Sequence, residues 1–239
     1  MQSNQDEQAP YWSRAGLWSG IRYTLPMLPG TAVFGMAFGT VAAQKGLTLT
    51  EAALMSALVF GGASQLVAME VWSNPMTWAL VAPLALVTGV VNMRLLLMSA
   101  SLRPWLGPLP ARQTYPALLL TTDATWLVAM RYRADGGSDA SVLLGSGFTL
   151  WLPWVASSAL GFLLGALIAE PARYGIDLIM PIFFVAMLVP LWRGPRRAIP
   201  WAVAGLVALL VQYLVPGFWF IIAGALAGAV SGGFIDEPQ

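Results

Sequence analysis

The run TWALVAPLALVTGVVNMRLLLMSA (77–100) decides the fold. It is 24 residues long and contains one formal charge, Arg94. A helix rises about 1.5 Å per residue, so roughly 20 residues cross the ~30 Å of hydrocarbon in a bilayer. The stretch is long enough to span and too apolar to face water. Two of its residues, Asn92 and Arg94, are costly inside a membrane and need a reason to be there.

The rest of the chain agrees with that reading. Of 239 residues 58% are hydrophobic and 10% charged, with a mean hydropathy of +0.70. A soluble domain carries about 25% charged residues, so much of this surface has to face lipid. The fold class expected is an all-α polytopic membrane protein. A net charge of +1 argues against electrostatic binding of nucleic acid. The chain has neither Cys nor His, which removes disulfides, thiolate chemistry, imidazole ligands and imidazole bases.

Apolar runs place spans near 23–43, 52–72, 77–100, 115–131, 143–168 and 174–192, with a final block over 199–234 split at Pro216-Gly217. That gives seven spans, or eight if the final block crosses twice. Residues 1–16 read as a polar N-terminal tail without a signal-peptide pattern. Connections are short, so residues 1–239 are read as a single transmembrane domain. With the N-terminus inside, seven arginines (Arg14, Arg22, Arg131, Arg133, Arg193, Arg196, Arg197) oppose Lys45, Arg103, Arg112 and Arg173. The positive-inside rule then favours a cytoplasmic N-terminus. Gly35-x-x-x-Gly39 recurs as Gly161-x-x-x-Gly165, for which an internal repeat and chance similarity of apolar sequence are both sufficient explanations.

Residues that are costly in lipid mark the candidate site. In YTLPMLPGTAVFGMAFG (23–39), Pro26 and Pro29 remove amide donors and Gly30 loosens the backbone. A kinked packing helix and a discontinuous helix with backbone groups lining a site both fit. In LVFGGASQLV (58–67), Gly61, Gly62, Ala63 and Ser64 suit close helix packing, but Gln65 brings a carboxamide that must find partners. A break at the two glycines would free amides for an anionic group. Arg94 either snorkels to the interface or joins a polar network with Asn92. Asp123 is placed near the middle of its span among Thr121, Thr122 and Thr125, paired with Arg94 or serving substrate and proton binding. Glu70, Glu170 and Asp177 lie at span edges.

An intramembrane serine hydrolase using Ser64 needs a base, and with no His present it would depend on Lys45, in a loop. No metal-ligand cluster, Walker-type motif or cofactor fingerprint is present. A secondary transporter accounts best for broken helices with sparse polar groups at depth. Its substrate site is expected at Pro29, Gly30, Phe34, Phe60, Gly61, Gly62, Ser64, Gln65, Asn92 and Asp123, with Asp123 coupling protons and Arg94 in a structural polar network.

The stretches GIRYTLPMLPGTAVFGMAFG, LVFGGASQL, NMRLLLMSASL and LLTTDATWLVA, in that order, resemble the AzlC/YgaZ family of branched-chain amino acid exporters. The resemblance covers roughly 16–130. The C-terminal half matches mainly in its hydropathy layout and its Gly-rich last span. The resemblance implies the large subunit of a two-component exporter in a bacterial or archaeal inner membrane, working with a small AzlD-type membrane protein. A higher oligomer of that heterodimer is a further expectation. The implied cargo is leucine, isoleucine, valine and in some members methionine, with export driven by the proton gradient; another small solute is the alternative. One departure is that the acidic pair common in the family is Asp123-Ala124 here. A second is Leu95, where relatives often have an aromatic or His.

Overall fold

A computed structural model describes residues 12–73, 77–168, 194–216 and 219–234, with Arg173, Leu178, Ile182, Val185, Val189 and Trp192 between them. The expected span 174–192, with Gly175, Asp177 and Phe184, lies almost wholly outside the described residues, as do Glu170 and Gly217. The described residues form helices and connecting turns. The chain divides into two compact units, 1–65 with 92–170 and 66–91 with 171–239.

The first unit is built on two long helices. Helix α1 (Arg14–Thr24), a 3-10 turn (Leu25–Met27) and helix α2 (Leu28–Gln44) run on as one rod of 31 residues. Pro26 and Pro29 fall at the first positions of the turn and of α2, where a missing amide costs least. The buried Thr24 hydroxyl donates back to the Gly20 carbonyl (2.8 Å), which favours a bend. Of the two sequence readings for this stretch, the kinked helix is the one formed.

After a turn comes α3 (Leu49–Val59), then α4 (Gly62–Val71), α5 (Trp78–Leu106), α6 (Ala111–Leu119), α7 (Asp123–Ala134) and α8 (Ser141–Ala166). Helix α8 lies alongside α1 and α2 for their whole length, and in parallel. Gly20 meets Val142 and Ser146, Gly35 meets Trp154 and Ser157, and Gly39 meets Ser158 and Phe162. In return Gly145 meets Leu17, Gly161 meets Met36 and Gly165 meets Thr40. A side chain at Gly39 would collide with the Ser158 carbonyl, so backbones touch where a Cβ would stand. Thr40 Oγ1 reaches across to the Gly161 carbonyl (3.1 Å). Lipid offers no hydrophobic drive between helices, and close backbone approach supplies van der Waals contact instead. The two Gly-x-x-x-Gly motifs thus form one seam.

The start of this seam is tied by Asp139, 2% exposed. Its carboxylate accepts from the Ser13 hydroxyl, and from the Ser141 amide (3.1 Å) and hydroxyl (2.7 Å). Ser13 also caps α1. A buried carboxylate between two helix N-termini is satisfied by hydrogen bonds and by both dipoles.

In the second unit, α9 (Ile199–Leu214) and α10 (Trp219–Gly233) form an antiparallel hairpin. Gly224 packs on Ala204 and Ala208, Gly228 on Ala204 and Pro200, and Gly232 on Pro200. The final apolar block is thus two helices, split at Pro216 as the sequence suggests. Among the described residues, three continuous stretches, 14–44, 78–106 and 141–166, are long and apolar enough to cross a membrane.

Candidate functional site

The sequence places the first apolar-polar anomaly inside a single span, 52–72. The structure breaks it. Helix α3 ends at Val59, and Phe60 takes a left-handed conformation (φ 41°, ψ 50°), the one described non-glycine residue with positive φ. Helix α4 starts at Gly62. Ser56 and Gln65 lie four residues before Phe60 and four after Gly61, yet Gln65 Nε2 donates to Ser56 Oγ at 3.2 Å. In a straight helix nine residues cover about 13 Å, beyond a glutamine's reach. The chain therefore folds back at 60–61 into a V.

Helix α8 holds this tip. Trp154 Nε1 donates to Gln65 Oε1 (3.1 Å), and the far edge of the same indole lies where a Gly62 side chain would be, 2.7 Å from a Cβ built there. Trp151 Nε1 donates to the Ala57 carbonyl (2.9 Å). Gln65 is fully buried and its carboxamide is engaged at both ends. Ser64, also buried, turns its hydroxyl to the Gly61 carbonyl (2.8 Å). Asn92 Oδ1 lies 3.8 Å from the position of a Gly61 Cβ.

The expected span 115–131 is likewise two helices. Thr122 caps α7 through a capping box: its hydroxyl accepts from the Thr125 amide, and the Thr125 hydroxyl accepts from the Thr122 amide (2.8 Å). Near its start α6 touches the end of α5, where the Thr114 hydroxyl reaches the Leu106 carbonyl (3.3 Å). Near its end α7 returns there, with the Arg133 guanidinium 5.5 Å over the Trp105 ring. Between these points the tip packs Leu120 against Gly147. The pair α6–α7 is a hairpin whose two ends lie together beside the end of α5.

Asp123 therefore sits on the first residue of a half-helix at the hairpin tip, and its Oδ2 pairs with Arg94 Nη2 at 3.0 Å. The two side chains are 36% and 38% exposed. Arg94 Nε is buried and has no hydrogen-bond partner among the described residues. The sequence alternative of an Arg94–Asp123 pair is formed.

Both tips lie near the middle of the long helices they touch. From Trp105 back to Arg94 is 11 residues of α5, about 16 Å. Trp154 stands 13 residues from the start of α8 and 12 from its end, about 20 and 18 Å. Hairpin α3–α4 starts from the side where α2 and α8 end; hairpin α6–α7 starts from the side where α1 and α8 begin. Two opposed tips thus meet α5 within about 3 Å of height, at Asn92 and Arg94, on different faces of that helix.

Of the remaining expected site residues, Phe60 is buried (6%), Phe34 partly buried, and Pro29 and Gly30 are exposed on an unbroken part of α2. Phe60 belongs to the first tip, while Pro29 and Gly30 lie on α2, in the first turn of that helix. Glu70 is exposed. Trp154, Trp151 and Asp139 do not appear in the sequence reading. For Asp139 a signal existed, since Ser-Asp-Ala-Ser precedes a long apolar helix as N-terminal capping residues do.

The sequence pattern of the family described as AzlC protein matches residues 26–168. A relative in Archaeoglobus fulgidus, described as an uncharacterized membrane protein, is 28% identical over 221 residues, which are 91% of this chain and 94% of that one. No solved structure matches. The family pattern takes in both hairpins, the polar residues at their tips and well over half of the chain: this membrane protein belongs to the AzlC protein family.

Proposed function

We propose that the chain is the large subunit of a secondary transporter that exports branched-chain and related hydrophobic amino acids. The observation that supports this best is the pair of opposed hairpins whose polar tips end at mid-depth. Discontinuous helices at the midplane are how transporters place backbone and side-chain polarity where a substrate is held between two faces. A structural membrane protein has no need for a half-exposed ion pair there.

The substrate site lies around the tips, with Asn92, Asp123 and the 61–64 backbone within reach of the zwitterion. Phe60, at the first tip, and Phe34, on α2, are the aromatic residues proposed to receive the apolar side chain. Asp123 exchanges a proton for the substrate ammonium and so links export to the proton gradient. Gln65, engaged by Ser56 and Trp154, serves the site by fixing the first tip.

The orientation also gains support. Arg103 and Arg112, which the sequence reading put on the outer side, lie at the hairpin mouth with Arg131 and Arg133, at the end where α1 begins with Arg14. Lys45 is at the opposite end of α2. Basic residues crowd the N-terminal side, which makes it cytoplasmic by the positive-inside rule. The family resemblance adds a small AzlD-type partner and a bacterial or archaeal inner membrane.

The test is efflux of preloaded labelled leucine from proteoliposomes, with and without the small partner. Acid outside should speed efflux in the wild type. In Asp123→Asn that acceleration should vanish; pH-driven export that persists in this variant would remove the coupling role.

A further inference from the structure

Resting on the export reading above, we propose that Arg94 and Asp123 together read the zwitterion. With Asp123 ionised and no substrate bound, each neutralises the other. An α-amino acid enters by placing its carboxylate at Arg94 and its ammonium at Asp123. Arg94 then contacts substrate directly, beyond a role as a structural partner for Asp123.

Three observations carry this. First, the pair is joined by one N–O contact of 3.0 Å, although a guanidinium offers five donors and commonly binds a carboxylate with two. Arg94 Nε is left buried and without a hydrogen-bond partner among the described residues, a donor whose desolvation none of them offsets. A second carboxylate on that guanidinium would satisfy it. Second, both side chains stay more than a third exposed at about half the depth of the membrane. Charges open to hydrocarbon are too costly to persist, so the exposed faces of the pair call for a polar occupant. Third, Asp123 occupies the first turn of α7, where Thr122 takes the Thr125 amide through its hydroxyl and the Trp126 amide through its carbonyl (2.9 Å). The cap leaves the first two amides of the helix facing the tip, next to the ion pair. An incoming carboxylate finds positive potential from both the guanidinium and the helix end.

The exchange balances in charge. One internal pair is broken, two substrate pairs are made, and no net charge is brought into the membrane. A molecule with only one of the two groups would leave either Arg94 or Asp123 unpaired and buried beneath it. The site is thereby selective for the free α-amino acid over its amine or its acid, whatever the side chain.

Competition against labelled leucine on the purified chain with its small partner tests this, using leucinol, which lacks the carboxylate, and 4-methylpentanoate, which lacks the ammonium. Each should compete about 10- to 100-fold more weakly than leucine, the range of one buried charge-assisted hydrogen bond. In Arg94→Gln the advantage of leucine over leucinol should disappear. The neutral pair Arg94→Gln with Asp123→Asn, which leaves no charge stranded, should erase discrimination against both analogues while keeping the protein inserted and monodisperse. If either variant still prefers leucine over leucinol by the wild-type factor, Arg94 does not read the carboxylate, and the export reading stands without it. If the wild-type complex neither binds nor exports leucine, isoleucine, valine or methionine, the export reading falls and takes this inference with it.

Discussion

The two hairpin tips solve one problem in opposite ways. Each must end two half-helices at mid-membrane, where no water satisfies the freed backbone. The tip at 60–61 does so by closing. It uses a left-handed Phe60, a glycine against an indole, and a glutamine buried to 0% with both ends of its carboxamide bonded. The tip at 120–122 does so by capping itself with threonines and leaving an ion pair more than a third exposed. One tip is built to hold still and the other to be reached. The contrast says where substrate chemistry and where mechanical strain should appear when each is altered.

The largest effect is expected at the open tip. Asp123→Asn leaves the Arg94 guanidinium without its counter-charge. A pair this exposed is worth less than the ~3–5 kcal/mol of a fully buried one, and the larger loss comes because the same carboxylate is proposed to bind the ammonium. Leucine efflux should fall by about 100-fold or more, with the protein still in the membrane fraction. An efflux rate within threefold of wild type would mean that this tip, too, is only structural.

Next come changes at the closed tip, which should register first in stability. Gly62→Ala drives a methyl into the Trp154 ring, 2.7 Å away. Overpacking of that kind costs about 1–3 kcal/mol. Gln65→Leu removes two hydrogen bonds and leaves the Trp154 indole N–H buried and unpaired, at about 1–3 kcal/mol. Both variants should lower the midpoint of thermal unfolding in detergent and weaken transport. Their ratio of leucine to leucinol affinity should stay at the wild-type value, because neither touches the ion pair. A changed ratio for Gln65→Leu would move this residue from holding the tip to contacting substrate.

How much of this was legible in the sequence follows from what hydropathy measures. It counts apolar length, and 52–72 and 115–131 have the length of a crossing. The direction in which a chain runs after a break is set by contacts such as Ser56–Gln65 and Arg133–Trp105, which have no local signature. From hydropathy the two hairpins are therefore expected as two spans, with Arg103 and Arg112 on the far side as a consequence. The glycine break at 61–62 was readable because glycine pairs are rare in a strong helix. The second break had a signal in Thr122-x-x-Thr125, a capping pattern obscured by the leucines before it. The polar residues at depth were legible for a simple reason: lipid penalises them, so each needed an explanation. What the sequence could not separate was a partner that holds from a partner that binds, since Gln65 and Asp123 look equally anomalous until their neighbours are known.

The smallest effect should appear at the mouth of the closed hairpin, outside the membrane. Thr48 caps α3 through a capping box, its hydroxyl accepting from the Glu51 amide while Glu51 Oε2 accepts from the Thr48 amide (2.7 Å). The bond from the Thr48 backbone, and then that from its hydroxyl, holds the Glu51 carboxyl below its ordinary value. Hydrogen bonds to the charged form favour it. With a folded value depressed, the contribution is complete above the ordinary glutamate value and is lost as the pH falls through the folded one. Hydrogen exchange at the first turn of α3 should therefore be flat from neutral pH down to about 5 and rise only under more acidic conditions, once corrected for intrinsic exchange. In Glu51→Gln that acid-dependent rise should vanish, and export should be unchanged. A measurable loss of leucine efflux in this variant would show that the closed hairpin moves during the cycle, and the contrast drawn between the two tips would then be one of degree.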